Sequence, residues 1–381
     1  MAGRPPVSGY SWLAVEARTG DVIADLPGLD VDKVATQLGT YTTTTAGLAL
    51  GTRQTPENWL RATLPGATFL VLIEDASELP VWGGLVTRRT RSSGGALSLS
   101  VATVEAYFDR RYVGDESYVG VDQNVIVADL VTKYAATGSN GGIPIRVAVT
   151  GGPGRLRDHT YEDADDKTLY SVLTELMGLE SGPEWTVEWE RQGSRLTPVL
   201  RVGSRIGTVP TAGLLPNATF ELPGPVTSAE LDEDYSSQGG ANDVLATTSA
   251  SGDVRPQSPH IVTRDAQRPT FERRFTPSTS ITEVDRLTSH ARELAAGIYD
   301  GVRSFALTSV TKKAPRVGVE WNAGDEVGYV VGGLDRHGLE LDPAFPGGLT
   351  GTARAVGWEL AFATDKLPET ITPVLQDPEE G

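Results

Sequence analysis

The sequence predicts an α+β chain that is mainly β. The first observation is the density of turn formers: 43 Gly and 24 Pro in 381 residues, punctuation that long helices do not tolerate. The second is the stretch from Pro80 to Tyr112, which reads as a β-hairpin with an aromatic exit. Trp82 and Leu85, then Leu97, Leu99 and Val101 across a Ser92–Gly95 turn, supply its apolar side, and Gly94-Gly95 allows the positive φ of a tight reversal. The third is that only three segments read as helices.

In chain order, Tyr10 to Ala17 alternates as a strand, a Thr19–Asp21 turn follows, and Val22 to Leu26 is again extended. Tyr41 to Ala49 is Thr-rich and extended. Thr68 to Ile73 is a continuous apolar run, the pattern of a strand covered on both faces. The 80–112 hairpin closes these strands, so a first all-β domain is expected over 1–113.

A lateral α+β domain is expected over 114–225. Its first helix runs from Asp122 to Tyr134, with Asp122 as N-cap. Ile143 to Val149 is extended. In the second helix Leu169, Val172, Leu173, Leu176 and Met177 form one stripe. Asp165 or Asp166 is its expected cap and Gly178 its stop. Trp185, Val187 and Trp189 alternate with acids and pair with Leu196 to Val202 across Gln192-Gly193-Ser194. Leu214 to Pro225 reads as loop.

A second β domain is expected over 226–250 and 302–366, interrupted over 251–301 by a loop or arm and a long helix. That helix has Ser280 and Glu283 in capping-box spacing and a stripe of Val284, Leu287, Ala291, Leu294 and Ile298. Strands are expected over Val226–Tyr235, Val302–Lys312, Asp325–Val331 and Thr350–Ala363. The stretch 367–381, with its prolines and acids, reads as a loose tail. Gly66 to Leu85 and Gly324 to Trp358 echo one another: a Gly-led apolar strand, a polar break, then a strand with Trp.

A net charge of −17 argues against gripping nucleic acid, whose affinity rests on cationic contacts to phosphate. With no cysteine there is no disulfide framework, thiol catalysis or Cys zinc site. No apolar run approaches the roughly 20 residues of a membrane span, so membrane insertion is not expected. Met1–Gly9 lacks a signal-peptide core.

No catalytic, cofactor-binding or metal-binding residue is nominated. His159, His260, His290 and His337 stand in no ligand spacing. Asp163, Asp165 and Asp166 lack the Gly and bidentate Glu of a calcium loop, and Asp232 to Asp234 read as solvated acids. Gly151-Gly-Pro-Gly154 loses a donor at Pro153 and has no Lys-Ser/Thr after it, which removes phosphate cradling. No nucleophile elbow occurs. A glycosidase pair among 50 acids can be neither named nor excluded.

The order of pieces carries a resemblance. It runs through Trp82-Gly-Gly-Leu-Val86, Ala106–Arg111, the helices at Asp122 and Lys167, Glu184–Val187, Gly240–Val244, Ile281–Tyr299, Trp321–Val327 and Arg354–Trp358. In this order the chain, from about Tyr10 to Leu367, resembles the tail-hub (baseplate hub) minor tail proteins of long-tailed bacteriophages of the actinobacteriophage type. The resemblance implies two tail-tube-like barrels per chain and a homotrimer at the virion tail tip, so that three chains present six barrels to a sixfold tube. It implies as partners the distal tail protein, the tail-tube protein, tail-tip spike or fibre proteins, and passing phage DNA held without sequence specificity. It implies no enzyme activity and no cofactor; longer relatives append enzymatic or receptor-binding modules, and here the chain stops at Gly381. The alternatives are a cell-wall-hydrolysing protein and a cell-wall-binding one, the latter needing exposed aromatics such as Trp12, Trp82 or Trp189.

Overall fold

The computed structural model describes residues 9–179, 181–211, 214–236, 239–248, 255–277 and 283–376. Strand takes 45% of it and helix 13%, in sheets that curl as half-barrels, so the mainly β α+β class holds. The chain forms two units, taken here in their described parts: Met1–Ser228 with Leu307–Val374, and Ala229–Ala306 with Leu375–Gly381.

The larger unit opens with β1 (Tyr10–Glu16), β2 (Val22–Asp25), β3 (Leu29–Val31), β4 (Lys33–Gln37), β5 (Thr43–Ala49), a helical turn α1 (Trp59–Ala62), β6 (Thr68–Glu74), β7 (Leu79–Ser92), β8 (Ala96–Thr103) and the short α2 (Glu105–Phe108). The β7–β8 hairpin pairs Ser92 with Ala96, and Gly94 and Gly95 have φ of 95° and 84°. Every residue of β6 is buried, as a strand covered on both faces requires.

The lateral part follows: β9 (Glu116–Asp122), α3 (Gln123–Tyr134), β10 (Arg146–Thr150), β11 (Leu156–Tyr161), α4 (Leu169–Met177), β12 (Glu184–Gln192) and β13 (Arg195–Gly203). Asp122 caps α3 through the Asn124 N–H and also accepts from the Gly154 N–H, so the glycine loop spends a donor on a carboxylate. The α4 cap differs from expectation: Thr168 accepts from the Ser171 N–H, because Asp163–Asp165 form a separate 3₁₀ turn and Asp166 is left-handed. Gly178 is the C-cap, in right-handed conformation. One apolar core joins Phe69, Val71 and Phe108 of the first sheet region to Ile126, Leu130, Leu173, Leu176, Trp185 and Leu200.

The chain then gives β14 (Thr219–Leu222), β15 (Val226–Asp234), β16 (Asp243–Ala246), β17 (Ile261–Val262), β18 (Glu272–Phe275), α5 (Val284–Ile298), β19 (Val302–Val310), β20 (Glu326–Val331), β21 (Leu349–Ala361) and β22 (Thr370–Gln376). Three expectations fail here: the 251–301 loop or arm contributes β17 and β18 as well as its helix. The 214–225 loop contains β14, and the expected loose tail contains β22, which lies between β21 and β19. Pro373 hid that strand, since a central strand rarely tolerates proline; here the proline is buried. The smaller unit packs α5 on a β17-β16-β18 sheet through Leu287, Ala291, Ala295, Val244 and Ala246. Val284, expected in the stripe, is exposed, and Ser280 lies outside the described residues.

Two seven-stranded sheets are built mainly from the larger unit, with β15 and β19 running past its bounds at Ser228 and Leu307. The first runs β2-β1-β6-β7-β8-β5-β3; the second runs β14-β20-β21-β22-β19-β15, with β4 beside β21. Setting aside β2 and β4 and numbering the remaining strands of each sheet in chain order, both read 1-4-5-6-3-2. The Gly66–Leu85 and Gly324–Trp358 echo falls on the fourth and fifth strands of each. The two sheets differ in one pairing that both describe: β1 meets β6 antiparallel, whereas β14 meets β20 parallel.

Candidate functional site: the junction of β12 with the two sheets

The region 114–225 meets the first sheet through β12, which packs against β7. Trp185, Val187 and Trp189 share one buried face of that strand, as alternation requires. The Trp189 indole N–H donates to the Gly83 carbonyl (3.3 Å), and its ring lies edge-on to Phe69 at 5.1 Å. Gly83 leaves room for it: a Cβ there would stand 2.3 Å from Trp189 Cε2. Gly83→Ala is therefore expected to push the indole out and cost about 1–3 kcal/mol. Urea unfolding read by tryptophan fluorescence checks this; an unmoved midpoint means that the ring is not held on β7.

Next to this contact the Val187 N–H donates to Glu105 Oε1 (3.2 Å). Glu105 is fully buried, and burial pushes its carboxyl up to about 7, against the pull of the Thr103 hydroxyl and of its own and Val187's backbone N–H. Its Oε2 and the Thr186 hydroxyl have no hydrogen-bond partner among the described residues. Both residues line a cavity of about 360 Å³, with Trp82, Glu188, Asn322 and Trp358 among its walls. Glu188 and Glu190 are held by Arg201 at 2.8 and 3.2 Å, so these two carboxylates are already ion-paired. The chemistry on offer at the cavity floor is uptake and release of a proton by one buried carboxyl.

Sequence reasoning passed over Glu105. The available signal was its place in Val104-Glu105-Ala106, at the end of an apolar strand and ahead of a buried Phe108.

A second clamp ties β12 to the second sheet. The Arg354 guanidinium on β21 grips Glu184 through both carboxylate oxygens and donates to the Ile206 and Gly324 carbonyls (2.9 and 3.2 Å). Glu184 also accepts from the Ile206 N–H at 2.6 Å. Planar bidentate recognition of this kind is what arginine, and not lysine, provides.

The aromatics that an adhesin would need are interior: Trp12, Trp82 and Trp189 are 4%, 2% and 7% exposed. Trp12 packs edge-on against Trp82 at 5.8 Å and against Phe362 at 5.9 Å. The histidines are scattered. His159 stacks on Tyr161, His260 meets Asp243 at 2.6 Å, and His290 faces Glu293 on α5. No cluster of three or more His, Asp or Glu able to hold a metal ion occurs among the described residues.

No protein-family model and no curated protein matches the sequence. Solved structures do. A tail protein of Neisseria meningitidis MC58 superposes with a TM-score of 0.54 at 13% identity, covering 97% of each chain. The 43 kDa tail protein of prophage MuSo2 from Shewanella oneidensis gives 0.56 at 11% identity, covering 97% of this chain and 99% of that one. A chain of the lidded Francisella PdpA–VgrG complex gives 0.51 at 8% identity, covering 97% of this chain and 53% of that one. At such identities the likeness is one of architecture, and over nearly its whole length this chain has the fold of those tail proteins.

Proposed function

We propose that the chain is a non-enzymatic structural hub of a bacteriophage tail, placed at the tail tip as a homotrimer. The observation that carries this reading is the strand order 1-4-5-6-3-2, present twice in one polypeptide. Two like modules per chain let three chains offer six similar units to a sixfold tube, and a closed ring uses heterologous contacts between different patches of neighbouring copies. The likeness to tail proteins supports the same reading. Its partners are then the tail-tube and distal tail proteins above and the spike or fibre proteins below. The net charge of −17 suits a conduit through which DNA slides without adhering.

Light scattering and electron microscopy of the purified chain test it. The expected result is a trimer of 40.5 kDa chains with six similar lobes about a channel. A monomer at every concentration, or a ring of another symmetry, overturns the proposal. Clearing of cell wall in a zymogram by the purified chain would restore the hydrolase alternative.

A further inference from the structure

The two sheets differ at one edge. In the second sheet the fifth strand, β21, carries β20 along Leu349–Arg354 and then β4 along Gly357–Ala361, with β22 on its other side. The visiting strand β4 follows β3, the end strand of the first sheet. It brings an ion pair across the join, Lys33 to Glu359 at 2.7 Å. The two sheets are thus joined head to tail, the strand that follows the end strand of one reaching the fifth strand of the other.

In the first sheet the fifth strand is β7. It carries β6 along Leu79–Leu85 and β8 along Gly84–Ser92. Its continuation Arg88–Ser92 stands three residues beyond the last β6 pair, as Gly357–Ala361 stands three beyond the last β20 pair. The Gly66 N–H reaches the Val86 carbonyl at 2.7 Å and the Arg89 side chain donates to the Leu60 carbonyl and the Thr63 hydroxyl (2.6 and 3.0 Å), but among the described residues no backbone hydrogen bond reaches the outer edge of Arg88–Ser92. Arg88, Thr90, Arg91 and Ser92 are exposed, and Arg88 and Arg91 make no ion pair among the described residues. An open edge is a template for another strand, and charge on it decides which strand is accepted.

The end strand of the second sheet, equivalent to β3, is β15. Its distal half contains Glu230, Asp232, Glu233 and Asp234, opposite in sign to the arginines of β7. We propose that Arg88–Ser92 is a docking edge for a second copy of this chain. The copy's β15 adds its acidic half there as a strand, repeating between chains the join that β4 makes with β21 within one. The proposal rests on the hub reading and supplies the contact by which its ring would close.

The chain contains no cysteine, so a disulfide can be placed at will. Thr90→Cys is combined in turn with Cys at Glu230, Asp232 or Asp234 and oxidised, and the mass of the assembly is measured in parallel. At least one pair is expected to give a covalent three-membered ring, and the single variants to give none. Arg88→Glu with Arg91→Glu, both at exposed positions, is expected to weaken association by about tenfold or more. Reversing the partner with Glu230→Arg and Asp232→Arg is expected to restore it. A trimer that yields no cross-link and ignores the charge reversal overturns the pairing and leaves the threefold hub standing. Cross-linked open chains in place of rings support the pairing and remove the threefold hub. A chain that neither associates nor cross-links removes both.

Discussion

Arg354→Ala is expected to cost about 1.5–3 kcal/mol, the range for hydrogen bonds that involve a charged group. The pair is partly buried, with side-chain exposures of 15% and 18%. The cost has two parts. Glu184 is left partly buried, with only the Ile206 N–H to bond it. The Ile206 and Gly324 carbonyls also lose their donor. A double-mutant cycle with Glu184→Ala separates the pair from its surroundings and is expected to return a coupling of about 1–3 kcal/mol. Urea unfolding suits the measurement, because buried Trp185 sits next to Glu184 and reports on the clamp by its fluorescence. Strict additivity, or a single-variant cost under about 1 kcal/mol, would mean that the pair does not hold β12 to β21.

Glu105→Gln is expected to stabilise the protein at pH 8 relative to its effect at pH 4. The sign follows from the direction of the shift. The carboxyl is raised from an ordinary 4.5 to about 7, so between those values the folded chain holds a proton that the unfolded chain releases. Stability therefore falls as pH rises through this window and levels off above it. A shift of this size corresponds to roughly 3 kcal/mol. The variant carries no such proton, so the difference between the two proteins is expected to grow by about that amount from pH 4.5 to 7 and then stay constant. Glutamine keeps an acceptor for the Val187 N–H, which holds the β12 contact in both proteins. Unfolding midpoints measured across the range check it; a difference independent of pH would show that the folded chain ionises Glu105 as freely as the unfolded one.

These two groups mark where reading by sequence ends. Glu184 and Arg354 stand 170 residues apart, and no local pattern pairs them. Glu105 lies inside the stretch that sequence reading singled out, yet its burial depends on Val187, 82 residues away. Local features were legible because nearest neighbours decide them. The Ser92–Ala96 reversal needs the positive φ of Gly94 and Gly95, the α3 cap needs only Asp122, and the β12–β13 hairpin needs Gly193 at its turn. The β4 and β14 strands were missed since each is short and finds its partner on a distant strand. For β22 a local rule about proline misled.

The fold class, the hairpins, the core helices, the lack of cysteine and an echo between two β regions are all legible in the residues alone. These follow from side-chain periodicity and backbone preference, which act over a few residues. The shared strand order behind the echo, the crossing of β4 to the second sheet and, among the described residues, the lack of a backbone partner on the outer edge of Arg88–Ser92 emerge only in three dimensions. Strand order is a property of hydrogen bonds between segments far apart in the chain, and no residue records its partner across a sheet.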